Sequence, residues 1–140
     1  MRVIVLRLLV VIFFALSLIH FYWGLGGQWG FENVLPSNEA GIALLDPSIL
    51  DTIIVGGGLL LMGAFYLCCF DLIDINFNHP IIKVIKWCIP IIFLIRAIGD
   101  FKYVGFFKTI DMTDFAHMDT FFYSPLCLLI ALMGYFVARG

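Results

Sequence analysis

The sequence predicts an all-α fold, a four-helix transmembrane bundle forming a single domain over residues 1–140. Three observations carry that prediction. The first is composition: 63% of the residues are apolar and 13% charged, where a soluble domain carries nearer half and a quarter. The second is the recurrence of four apolar segments close to the roughly 20 residues that cross a bilayer as a helix. The third is that no Gly/Ser or Pro run marks a linker between them. A mean hydropathy of +1.08 exceeds what a water-soluble chain of this length could bury, because small domains hide only about two-thirds of the surface they expose unfolded. A soluble enzyme and a disordered linker are excluded. The net charge of −2 leaves no basic field for nucleic acid.

The first segment, Val3 to Trp23, is interrupted by Arg7 and His20. It does not read as a secretory leader: its apolar run exceeds a signal core, and bulky His20, Phe21, Tyr22 and Trp23 stand where small residues would mark cleavage. The second, Thr52 to Phe70, has no charge. Its Gly56, Gly57, Gly58 and Gly63 let helices approach closely, and lack the Lys and Ser/Thr of a phosphate loop. The third, Ile81 to Ile98, is the most polar. Lys83 and Lys86 can snorkel to headgroups at one end and Arg96 at the other, and Pro90 is expected to bend it. The fourth, Phe121 to Ala138, is again uncharged. Its helix is expected to start as early as Thr113 or Asp114, with Ser124 and Pro125 marking an irregular turn. Ser37, Asn38 and Glu39 precede apolar residues, which predicts a capped interfacial helix over 36–50.

The distribution of Lys and Arg sets the orientation. Arg2, Arg7, Lys83, Lys86 and Arg139 fall on one side, Arg96, Lys102 and Lys108 on the other. This predicts N-in, C-in insertion. Spans one and three then run the same way. Each ends in an ionisable residue, a glycine and an aromatic-rich stretch: His20, Gly24, Trp29, Gly30, Phe31 against Arg96, Gly99, Tyr103, Gly105, Phe106. The pattern fits two parallel hairpin repeats.

Ionisable groups inside hydrocarbon are costly and usually functional. On this topology His20, Asp51, Arg96, Asp100 and Asp119 gather at the outer level. Arg96 and Asp100 are four apart and share a face if the helix continues. Asp119 precedes Tyr123 by four. His20, Arg96, Asp100 and Asp119, with Tyr22, Trp23, Trp29, Tyr103 and Tyr123, outline a pocket for a small anionic or lipid-like ligand, Arg96 supplying charge and the aromatics apolar contact. A plainer reading stands beside this one. Arg96 and Asp100 would be a structural ion pair, His20 would bond a backbone carbonyl, and the Tyr and Trp residues would form an interfacial belt. An enzyme on a lipid or isoprenoid substrate would use His20 as acid/base with Arg96 as anion clamp. A structural subunit would form a homo-oligomer through the glycines of span two, with membrane lipids as its other partners.

No metal or other cofactor is assigned. His20, His79 and His117 form no HxxxH or HExxH pair, and His79 falls on the opposite side. Cys68, Cys69, Cys88 and Cys127 form no CxxC and read as small buried hydrophobes. No polar ring continues through the inner half of the spans, which argues against a channel.

Two strings go beyond generic membrane composition. One runs from His20 through Tyr22, Trp23, Gly26, Gly27, Trp29 and Gly30 to Pro36. The other runs from Arg96 through Gly99, Asp100, Tyr103 and Lys108 to Asp119, Tyr123 and Cys127. Together they resemble an uncharacterised family of small bacterial four-span integral membrane proteins, a domain-of-unknown-function family, over almost the whole chain. The resemblance implies one four-helix membrane domain and assigns no activity. Its signature positions fall here on His20, Tyr22, Trp23, Gly26, Gly27, Trp29, Gly30, Arg96, Gly99, Asp100, Tyr103, Asp119 and Tyr123.

Overall fold

A computed structural model describes residues 1–38, 40–69 and 79–140. The chain forms helix α1 (Arg2–Gly24), a short 3₁₀ turn (Glu32–Val34), α2 (Ile49–Leu67), α3 (Pro80–Ile98), α4 (Asp114–Met118), a π-helical turn (Asp119–Tyr123) and α5 (Ser124–Arg139). Among the described residues the only β pairing is one isolated bridge between Ser37 and Ala43. Among the described residues, three stretches are long and apolar enough to cross a membrane: Arg2–Gly24, Ile49–Leu67 and the continuous Asp114–Arg139. Helix α3 has comparable length, 19 residues, but carries Lys83, Lys86 and Arg96. Large apolar side chains face outward, among them Leu18 (69% exposed) and Leu61 (73%). Apolar surface on this scale is the profile of a helical membrane protein.

Helix boundaries follow local capping chemistry. Helix α2 starts at Ile49, ahead of the expected Thr52, because Ser48 and Asp51 form a reciprocal capping box. The Asp51 carboxylate accepts from the Ser48 N–H at 3.0 Å and the Ser48 hydroxyl at 2.7 Å. The end expected at Phe70 lies outside the described residues. The interfacial helix expected over 36–50 is a correction. Asn38 Oδ1 instead accepts from the Ala40 and Ile42 N–H groups at 3.0 and 2.9 Å, and Gly41 turns the chain at φ +75°. A side chain that captures these N–H groups competes with helix formation. The last span starts at Asp114, as one sequence cue indicated, with Thr113 as its cap, the Thr113 hydroxyl accepting from Ala116 N–H at 3.1 Å.

Helix α1 packs along α2, and α3 along α5, with α5 also touching α1. In lipid, close backbone approach and interhelical hydrogen bonds replace the hydrophobic drive of soluble folds. Ser17, buried on α1, donates to the Gly56 carbonyl at 2.8 Å. A Cβ on Gly56 would stand 3.2 Å from His20 Cβ, and one on Gly63 3.1 Å from Phe13 Cβ. Gly57 and Gly58 meet nothing within 4 Å. The glycine run therefore serves two faces, and Gly56 and Gly63 are spent inside the chain. The centre is aromatic: Phe13 stacks on Tyr66 at 5.7 Å and meets Phe93 edge-on at 5.4 Å. Gly63→Leu should overpack this seam and cost about 1–3 kcal/mol, while Gly57→Leu should be tolerated. Thermal unfolding of the two variants in the same detergent checks the contrast.

Candidate functional site

The site is built where α3 ends. Gly99 closes the helix at φ +89°, a left-handed conformation that glycine adopts without steric cost. The chain then folds back on itself. Asp100 N–H donates to the Val104 carbonyl at 3.1 Å and Phe106 N–H to the Ala97 carbonyl at 2.9 Å. A Cβ on Gly99 would collide with the Val104 carbonyl oxygen, and one on Gly105 with the Ile98 carbonyl oxygen. This backbone-on-backbone packing brings the loop over 99–108 against the π-helical turn.

Asp119, fully buried, sits at the junction. One carboxylate oxygen accepts from Arg96 Nη2 at 2.9 Å. The other accepts from the Gly105 N–H at 2.7 Å and Lys108 Nζ at 3.2 Å. Lys108 is saturated: its ammonium also donates to the Gly105 carbonyl at 3.1 Å and the Thr120 hydroxyl at 2.7 Å. The side chain of Lys108 is 3% exposed, that of Arg96 34%. Two cations thus face one carboxylate, and the surplus positive charge falls on Arg96. Among the described residues Arg96 Nη1 is buried without a hydrogen-bond partner, and so is Ser124 Oγ.

Arg96 and Asp119 therefore come together, but Asp100 does not join them. An Arg96–Asp100 contact across one helical turn requires α3 to continue, and α3 ends at Ile98. Asp100 instead accepts from the backbone N–H groups of Lys102, Tyr103 and Val104 at 2.9, 2.7 and 2.9 Å. Burial disfavours its charge, but the Val104, Lys102 and Tyr103 N–H groups outweigh that and hold its pKa below the ordinary carboxylate value. A depressed folded pKa contributes stability above the unfolded value, about 3.9, that is lost as pH falls through the folded pKa. Hydrogen exchange of the Lys102–Val104 amides should accelerate in acid below about pH 4, beyond the intrinsic rate. Asp100→Asn should remove that added acid sensitivity.

The α1 residues form a separate cluster. His20 Nδ1 lies 2.7 Å from the Leu16 carbonyl oxygen, which can only accept, so this nitrogen carries the proton. The His20 ring meets Trp23 edge-on at 5.1 Å. Trp23 Nε1 donates to the Trp29 carbonyl at 2.8 Å, and the Trp29 N–H donates to the Tyr22 hydroxyl at 3.4 Å. Gly27 lies against the Tyr22 ring, where a Cβ would collide. These contacts fasten the chain after α1 to its own helix end. Tyr123 bridges outward, its hydroxyl donating to the Asn33 carbonyl at 3.3 Å. Tyr103 lines a shallow depression of about 390 Å³ with Asn38, Lys102 and Ile110. A cleft of about 430 Å³ lies between the loop bearing Glu32, Asn33 and Ser37 and the start of α4 at Thr113, Asp114 and Phe115. None of the nine expected site residues lines that cleft.

Three contributors escaped the sequence reading. The sequence presents Lys108 as an outer charge, Gly105 as part of an internal echo and Ser124 as a turn marker, all three within the second string, and marks none of them as a site residue. Their place in that string was the available signal. Among the described residues no group of three or more His, Cys, Asp or Glu could hold a metal ion.

No curated protein and no solved structure matches the chain. A family model described as protein of unknown function (DUF3995) matches residues 13–134. That span holds both strings and the whole Arg96–Lys108–Asp119 cluster, and the chain belongs to this family.

Proposed function

We propose that this is a four-span protein of the bacterial inner membrane, N-in and C-in, that binds a small anionic or lipid-like ligand at the Arg96 end of the bundle. The hydropathy of α3 is lowered by three cations, but two of them carry little weight against insertion. Lys83 stands in the first turn, where it can snorkel, and Arg96 is paired with buried Asp119. The pairing of α1 with α2 and of α3 with α5 supports the two-hairpin arrangement.

One observation carries the binding reading: the partnerless Arg96 Nη1, on the cation left in surplus beside Asp119 and Lys108. A buried charged donor without an acceptor is expensive, and an anion supplies both the acceptor and the missing charge. Native mass spectrometry of protein extracted from its own membrane tests this. The wild type should carry one anionic adduct and Arg96→Met none, with helicity retained. A wild type without adduct removes the proposal.

A further inference from the structure

We infer that the ligand is a monoanionic amphiphile with a phosphodiester headgroup, entering sideways from the bilayer, and that Ser124 is its second donor. The inference rests on the anion-binding reading above and makes it specific in charge, route and contact.

Charge comes first. Arg96 and Lys108 share one carboxylate, Asp119. Lys108 has three acceptors within 3.2 Å, so it has no donor left to offer. One positive charge remains, on one guanidinium. A single negative charge neutralises the site, and a dianion would overshoot it in a medium where each unpaired charge is heavily penalised.

The route follows from exposure. Asp119 and Lys108 are closed off, and the accessible side chain of the cluster is Arg96. Its neighbours on α3 are Ile92, 50% exposed, and Ile95, 61% exposed, and the loop above contributes Phe107 at 62%. On a membrane helix this apolar rim faces acyl chains. A molecule reaching the guanidinium from that side must be apolar along most of its length and anionic at one end.

The second donor follows from the π-helical turn. Ser124 N–H donates to the Asp119 carbonyl, which sets Ser124 one π turn beyond Asp119 on the same helix face. Its hydroxyl is fully buried and, among the described residues, has no partner. Two orphan donors thus lie on packed helices, Arg96 Nη1 on α3 and Ser124 Oγ at the start of α5, one π turn beyond the residue that pairs with Arg96. A phosphodiester presents two non-bridging oxygens that share one charge, one for each donor. The Arg96 donor is charge-assisted, and such bonds are the stronger kind.

The test uses the full chain in nanodiscs of equal phosphatidylglycerol and phosphatidylcholine, followed by mild detergent extraction and native mass spectrometry. The wild type should retain one phosphatidylglycerol per chain, and dimethyl phosphate should not displace it. Ser124→Ala should weaken retention by about tenfold, the loss of one hydrogen bond to a charged group. Arg96→Met should abolish it; that variant leaves Asp119 paired with Lys108 and electrically neutral, and circular dichroism checks that it folds. Equal retention of phosphatidylcholine overturns the charge assignment, and unchanged retention by Ser124→Ala overturns its role. Binding of dimethyl phosphate or inorganic phosphate without any lipid overturns the lateral amphiphile but leaves the anion-binding reading standing. No bound anion of any kind overturns both.

Discussion

Asp119→Asn should destabilise the protein by about 3–5 kcal/mol, the range for breaking a buried pair by removing one partner. The asparagine keeps the shape and still offers an oxygen to the Gly105 N–H, so the variant isolates charge. It leaves Arg96 and Lys108 together with no counter-charge at a position that is fully buried. Arg96→Met and Lys108→Met should each cost much less. In both, the carboxylate keeps one cation at 2.9 or 3.2 Å and the backbone donor at 2.7 Å. The expected ranking is thus lopsided, one acid mattering more than either base. Unfolding in mixed micelles measures all three. If Asp119→Asn proves no worse than Arg96→Met, the carboxylate is not the hub of the cluster.

The second large effect concerns two backbone crossings. Gly99→Ala and Gly105→Ala should each cost at least about 3 kcal/mol, combining left-handed strain of about 1–3 kcal/mol with a steric collision. Both residues hold positive φ, +89° and +91°, and both would drive a Cβ into a carbonyl of the opposing strand of the loop. Gly26 and Gly30 provide the internal comparison. Their φ values are +93° and +73°, yet a Cβ at either meets nothing within 4 Å. Gly26→Ala and Gly30→Ala should pay only the conformational term, about 1–2 kcal/mol. Failure of the 99–108 loop also withdraws the Gly105 N–H and Lys108 from Asp119. Hydrogen exchange at residue 105 should therefore rise in the Gly99→Ala protein. Equal losses for Gly105→Ala and Gly30→Ala would show that the crossing is not tight.

What could be read from the sequence was what depends on local pattern. The apolar runs locate α1, α2 and α5 because lipid asks only for length and hydropathy. Arg96 and Asp119 stood out because charge near hydrocarbon is rare. What could not be read were the partners. Whether Arg96 meets Asp100 or Asp119 depends on where α3 stops, which depends on a left-handed Gly99 that is stable only because the loop returns to cover it. The same return delivers Lys108, a residue that looks like surface until its acceptors are known. The misplaced helix after Pro36 has a related cause. Asn38 takes two N–H groups for a turn where Ser37 was to open a helix, and the helix starts only after Ser48.

The π-helical turn between Asp119 and Tyr123 has a consequence for how this polypeptide is compared with others. Each residue on an ordinary helix advances the azimuth by about 100°, and a wide turn absorbs one surplus residue without lengthening the rod by a full step. Residues before 119 and after 123 consequently obey different angular phases. A wheel diagram drawn as one cylinder from 114 to 139 would send the lipid-facing and seam-facing stripes to the wrong sides of one half. Any alignment that closes a one-residue gap in this stretch would carry the same rotation into every face assignment downstream.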